Sequence, residues 1–154
     1  VDVAVTIDLG EDNDLHPQNK KDLGKRLALL AAARLGIPVE SKGPEVTGIT
    51  VASDEAHNLR TIRLTCSHAE GLHALSEDKG MEILDFEVVN DREEVLQVKA
   101  QIVGQEIVLT IPDKETEVEE IRYCYRTSNL GALIYNRAGL PMSPFVRRVY
   151  EETV

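Results

Sequence analysis

Between residues 48 and 126 the chain is cut into short runs rich in β-branched residues, a spacing that few folds can use. The runs are GITVAS (48–53), RTIRLTCS (60–67), MEILDFEVVN (81–90), VLQVKAQIV (95–103), QEIVLTIP (105–112) and EEIRYCYR (119–126). Several alternate. In the fourth, Val95, Gln97, Lys99, Gln101 and Val103 share one parity, while Leu96, Val98, Ala100 and Ile102 share the other. Successive side chains of a strand point to opposite faces, so this run reads as a half-buried antiparallel strand. Gly104 links the fourth and fifth runs closely enough for a hairpin. Six such strands predict a β-sandwich-like domain over residues 41–154. The closing stretch, NLGALIYNRAGLPMSPFVRRVY, reads as loop anchored by Ile134, Leu140 and Phe145.

The first 40 residues have a different texture. VDVAVTIDLG (1–10) is apolar on both faces, the pattern of a parallel strand covered by helices. Gly10 to Asp14 is a turn cluster, and Pro17 suits the first turn of a helix. Leu23, Leu27, Leu30 and Ala31 then recur at helical spacing, and Gly36 and Pro38 stop the helix. The expected fold is therefore an α/β fragment, one strand and one helix, followed by the antiparallel β-sandwich. A lone strand leaves its backbone edges unpaired. Residues 1–40 are thus expected to complete a sheet whose other strands lie outside this chain.

Charge narrows the partners. Seventeen Lys and Arg face 27 Asp and Glu, a formal net charge of -10. No basic surplus exists to neutralise nucleic-acid phosphates or an anionic membrane surface, so neither partner is expected. No apolar run approaches the roughly 20 residues that span a bilayer. Cys66 and Cys124 are far apart, without the CxxC spacing of a metal framework. Both lie inside strand patterns and read as small core residues, with a single bridge left open.

Chemistry concentrates at His16. It follows an acidic turn behind the first apolar run and stands at the mouth of the helix, where open α/β sheets place catalytic groups. Imidazole is the side chain suited to accept a proton near neutrality, and the positive end of a following helix favours its neutral form. A carboxylate normally orients such a ring. Asp14 is nearest, with Asp8 and Asp12 close by. The plainer reading is a solvated loop histidine. A third is metal binding by Asp12, Asp14 and His16 at alternate positions, although no EF-hand spacing follows. His57, His68 and His73 read as loop residues. Ser53, Ser67, Ser76, Ser128 and Ser143 lie in no G-x-S-x-G elbow. The chain thus offers a candidate base and no candidate nucleophile.

The stretch VTIDLG…NDLHPQNKKDLGKRLAL resembles the closing segment of the sialate O-acetylesterase family, whose catalytic domain is of the SGNH hydrolase type. The family's strand, Asp, Ile-His-Pro and helix are met here by Asp8, Leu15-His16-Pro17, Lys20 and Arg26-Leu27-Ala28. GPEV (43–46), IRLTCSHAEGL (62–72), LDFEVV (84–89), IRYCY (121–125) and YNRAGLPMSPF (135–145) follow the family pattern in order. The resemblance implies a carbohydrate O-acetylesterase with a flavodoxin-like SGNH domain, ending at about residue 40. It implies a Ser nucleophile and oxyanion hole on an amino-terminal portion that would be this chain's partner. His16 would be the base, the substrate an O-acetylated sugar, and no cofactor or metal is implied. The compartment would be extracellular, periplasmic or lysosome-like.

Three departures stand out. The family's supporting Asp lies three residues before the His, where this chain has Asn13. Asp14 is then the nearest substitute and Asp8 the next, or the site works as a Ser-His dyad. Tyr125 stands where the family tends to carry Trp, and Val146 intervenes before Arg147. Lacking a nucleophile, the isolated chain is expected to be inactive. The competing reading is a non-catalytic carbohydrate-binding or structural β-sandwich. Sugar-binding sandwiches stack aromatics on their ligands, yet this chain has no Trp, four Tyr and two Phe. Tyr123 and Tyr125 are expected on one strand face.

Overall fold

A computed structural model describes residues 1–150. One helix, α1 (Lys20–Arg34), precedes ten strands. These are β1 (Glu45–Asp54), β2 (Leu59–Ser67), β3 (His73–Leu75), β4 (Phe86–Asn90), β5 (Val95–Gln97), β6 (Lys99–Val103), β7 (Glu106–Ile111), β8 (Val118–Tyr123), β9 (Leu133–Tyr135) and β10 (Phe145–Arg148). They form two four-stranded antiparallel sheets, ordered β1-β2-β7-β6 and β10-β8-β4-β5, and a two-stranded ribbon of β3 and β9.

The two larger sheets share one core. Ile62, Leu64, Ile107 and Leu109 of the first meet Phe86, Val88, Ile121 and Tyr123 of the second in a single buried cluster. The Phe86 and Tyr123 rings lie 4.7 Å apart and tilted, with Phe145 against both. The buried Tyr123 hydroxyl accepts a hydrogen bond from the Ile134 backbone N–H at 3.2 Å. Burying that oxygen unpaired would cost roughly 1–3 kcal/mol. This is the β-sandwich-like architecture that the alternating runs predict.

The α/β fragment is not there. Residues 1–19 contain no strand, only turns and one isolated bridge between Glu11 and Asp14. A strand exists by bonding to a neighbour, and among the described residues VDVAVTIDLG pairs with no sheet edge. The helix does form, but later than expected. Asn19 caps it, accepting from the Asp22 N–H at 3.2 Å and donating to the Asp22 carboxylate at 2.9 Å. Pro17 therefore lies ahead of the cap. The buried face also shifts: Arg26 and Leu30 point inward, while Leu27 is 52% exposed.

The long run at 95–103 is two strands. Val98 turns the corner, so β5 pairs with β4 in one sheet and β6 with β7 in the other. The predicted alternation survives the break, with Leu96, Val98, Ala100 and Ile102 inward. Gly104, at φ +63, makes the two-residue link from Val103 to Glu106. The tail read as loop contains β9 and β10, and Ile134, Leu140 and Phe145 do pack inward.

Buried polar groups hold the loops. Asn136 donates through Nδ2 to the carbonyls of Lys42 (2.8 Å) and His68 (3.0 Å) and accepts from the Leu140 N–H at 3.1 Å. The carboxylate of buried Asp85 accepts from the N–H groups of Leu130 (2.7 Å) and Gly131 (3.0 Å). Gly43 passes so close to the 140–141 backbone that a Cβ there would stand 1.9 Å from the Pro141 carbonyl oxygen.

Candidate functional site

The segment before His16 is fixed by an ion pair that the chain's order does not reveal. Arg26, on the inner face of α1, grips both oxygens of Asp8, each contact at 2.6 Å. It also donates to the Val5 carbonyl at 2.6 Å. The Tyr135 hydroxyl, from β9, donates to the same Asp8 carboxylate at 3.1 Å. Burial, and then the Asp8 charge, push the Tyr135 hydroxyl well above the usual phenol range. The Asp8 hydrogen bond strengthens the hold of Arg26 on its proton, against the opposing effect of burial. One carboxylate thus ties the amino-terminal segment, the helix and the β-body together.

His16 stands outside that knot. It is exposed, three residues before the Asn19 cap. Its backbone N–H donates to Asp14 Oδ1 at 2.7 Å, so Asp14 shapes the loop through the main chain. Among the described residues no group bonds the His16 ring. Asp12 accepts from the Ser128 hydroxyl at 3.0 Å, and Asp8 is held by Arg26. The three neighbouring carboxylates therefore each bond a group other than the imidazole, and the ring is presented to solvent.

The other serines and histidines are accounted for in the same way. Ser53 accepts from Arg60, and Ser76 accepts from the Lys79 N–H. Ser67 donates to the Glu45 carbonyl, and Ser143 to that of Pro144. His57 Nδ1 meets Asp54 Oδ2 at 2.8 Å, and His68 Nδ1 meets Glu40 Oε1 at 3.0 Å. His73 bonds the Gly71 carbonyl at 2.9 Å and stacks on Tyr135, ring centres 6.0 Å apart. None of these is a Ser–His pair. Among the described residues no three His, Cys, Asp or Glu side chains converge as metal ligands. Cys66 and Cys124 are free thiols. Burial, and then the Glu106 charge, push Cys66 to about 11. Burial, and then the Asp85 charge, push Cys124 to about 12.

A groove of about 1160 Å³ runs between the 7–12 turn, the inner face of α1 and the β3–β9 ribbon. Asp12, Asp22, Arg26, His73, Lys79 and Tyr135 are among its walls, and His16 lies beyond its edge. The His57–Asp54 and His68–Glu40 pairs and the Asp8–Arg26–Tyr135 knot are contacts that sequence reading missed. Only the first had a local signal, an Asp three residues before a His in a turn. Tyr123 and Tyr125 do not share a face. Cys124 has φ +50, ends the strand and swings Tyr125 outward, where the Arg122 guanidinium covers its ring at 4.6 Å.

No family model matches the chain, and no curated protein matches it. A solved structure does. The crystal structure of a carbohydrate acetylesterase from Xanthomonas citri aligns with 96% of this chain at a TM-score of 0.75 and 23% identity. The chain spans 32% of that protein's length. The likeness is one of fold.

Proposed function

We propose that this chain is the carboxyl-terminal part of a carbohydrate O-acetylesterase of the sialate O-acetylesterase type. Residues 1–40 are the closing segment of the esterase domain, and residues 41–154 are the β-rich accessory domain. The carrying observation is the fold match, in which nearly all of this chain lies on about a third of a protein described as a carbohydrate acetylesterase. The Leu15-His16-Pro17 segment and the GLPMSPF ending support it. So does the distribution of apolar surface. Val1, Val3, Leu15, Leu27, Leu35, Ile37 and Val39, seven of the 15 large apolar side chains exposed among the described residues, fall within the first 40 residues. Exposed apolar surface enriched on one segment is consistent with more protein packing there.

In this reading an amino-terminal portion supplies the Ser nucleophile and the oxyanion donors. His16 takes the serine proton as its oxygen attacks the acetyl carbonyl, then returns the proton to the departing sugar oxygen. A water activated by the same ring releases acetate. Asp14 sets the loop through the His16 backbone, and the ring orients on the partner portion. The isolated chain has no nucleophile and hydrolyses nothing.

The test is to co-express this chain with the amino-terminal portion and assay a chromogenic acetyl ester. The expected result is activity that needs both pieces and is lost in His16→Ala. Activity from this chain alone, or activity indifferent to His16, overturns the assignment. Binding of a glycan by the chain without any activity of the pair would favour the non-catalytic module.

A further inference from the structure

We propose that Tyr135 and Ser128 are positioning residues for His16, a role that rests on His16 being the base of the proposed esterase. Through them the β-body holds the loop that carries the imidazole. Among the described residues no backbone hydrogen bond joins residues 1–36 to the strands and loops from residue 45 onward. Two side-chain hydrogen bonds do. The Tyr135 hydroxyl donates to Asp8 at 3.1 Å, and the Ser128 hydroxyl donates to Asp12 at 3.0 Å. Ile7 adds apolar packing against the core. The loop ahead of His16 is thus fastened by two hydroxyl groups, one on each side of Gly10.

Both anchors are themselves bonded into the β-body. Tyr135 belongs to β9, opposite His73 of β3, and its ring stacks on the His73 imidazole. Ser128 lies on the β8–β9 connection, where the buried Asp85 carboxylate accepts from the N–H groups of Leu130 and Gly131. Lys79 donates to the Asn129 carbonyl of the same connection at 2.8 Å. The Asp8 end is stiffened as well, because Arg26 grips both its oxygens. Beyond Asp8 the loop closes on itself. The Glu11 carbonyl accepts from the Asp14 N–H at 3.1 Å, and Glu11 Oε1 accepts from the Gln18 N–H at 2.9 Å. Asp14 in turn accepts from the His16 N–H. A displacement at Asp12 is therefore passed to His16 through bonded backbone. A base must lie within hydrogen-bond reach of the proton it takes, and a misplacement of about 1 Å can cost on the order of a hundredfold in rate. Losing the anchors moves the base, so the loss falls on kcat and leaves KM in place.

The experiment measures kcat and KM on p-nitrophenyl acetate for this chain co-expressed with the amino-terminal portion. Tyr135→Phe keeps the ring on His73, and Ser128→Ala removes only a hydroxyl. Each is expected to lower kcat about two- to tenfold, the factor by which one hydrogen bond moves an equilibrium. Together they should lower it on the order of a hundredfold, with KM unchanged. Ser128→Thr keeps the hydroxyl and should retain the wild-type kcat. In the whole chain alone, NMR backbone order parameters of residues 11–16 should fall in the double variant from the rigid range near about 0.85 to below about 0.6, while those of β2 and β7 hold. Full kcat in the double variant, where His16→Ala abolishes activity, overturns the positioning role and leaves the esterase reading standing. A pair without activity, or activity indifferent to His16→Ala, overturns that reading and this role with it. Equal mobility of residues 11–16 with and without the two hydroxyls overturns the role, as does a Ser128→Thr variant as impaired as Ser128→Ala.

Discussion

Arg26 and Asp8 meet through two parallel contacts of 2.6 Å, with side chains only 10% and 12% exposed. Removing one member of such a pair strands the other charge. Asp8→Asn is expected to cost about 3 kcal/mol while α1 stays docked. The helix fully buries little besides Leu30, so undocking caps the loss. The signature is therefore local. Amide exchange across α1 should accelerate at least about tenfold, since 1.4 kcal/mol already gives that factor, while the sheet core keeps its protection. A uniform loss of protection across β2, β7 and β8 would show that the pair holds the whole domain. Asp8→Leu combined with Arg26→Met should recover most of the stability, because an apolar replacement leaves no stranded charge.

Asn136 makes three side-chain hydrogen bonds from a position 2% exposed. Asn136→Ala orphans two carbonyls and an N–H and should cost about 2–4 kcal/mol. Asn136→Asp keeps the acceptor for Leu140 but turns an oxygen toward two carbonyl oxygens. It should be no better than Ala at neutral pH. Denaturant titration of the two variants decides it, and a near-neutral Asp variant would refute the donor role of Nδ2.

Two glycines should respond oppositely to alanine. Gly43→Ala places a methyl 1.9 Å from a backbone oxygen that cannot rotate away. The 42–45 and 140–142 segments must part, at a cost of about 3 kcal/mol, the upper end for overpacking. Gly24 lies inside α1 with nothing within 4 Å of an added Cβ. Gly24→Ala should stabilise the helix by about 0.5–1 kcal/mol. Thermal melts of the pair check both signs.

The thiols set an alkaline limit. Cys66 and Cys124 bind their protons more tightly folded, at about 11 and about 12, than at the ordinary value of 9.0. Above pH 9 the unfolded chain loses these protons first, so it binds fewer protons than the folded chain. Stability is then full below pH 9 and falls as the pH rises toward 11 and 12. Unfolding followed between pH 8 and pH 11 should show this decline, with a shallower slope in Cys66→Ala/Cys124→Ala. An aromatic disulfide reagent at pH 8 should label the native thiols far more slowly than the unfolded ones.

Much of the β-body was legible. Ile107, Leu109 and Ile111 alternate in the sequence and are buried in the structure, because side-chain period along a strand is a local property. The helix was legible for the same reason. Its inward face was not, because Arg26 turns inward to meet an aspartate 18 residues away. The run 95–103 kept its parity yet divided between two sheets at Val98, since sheet membership depends on partners remote in the chain.

His16 shows the same division. Its place in an acidic loop ahead of a helix could be read directly. That Asp14 serves its backbone, Asp12 serves Ser128 and Asp8 serves Arg26 could not. The first ten residues are the sharpest case. Their two apolar faces were fixed by the sequence alone, and so were the alternation of the later strands and the existence of a helix. Whether VDVAVTIDLG becomes a strand was decided only in three dimensions, because a strand is completed by the backbone beside it and, among the described residues, this segment pairs with no sheet edge.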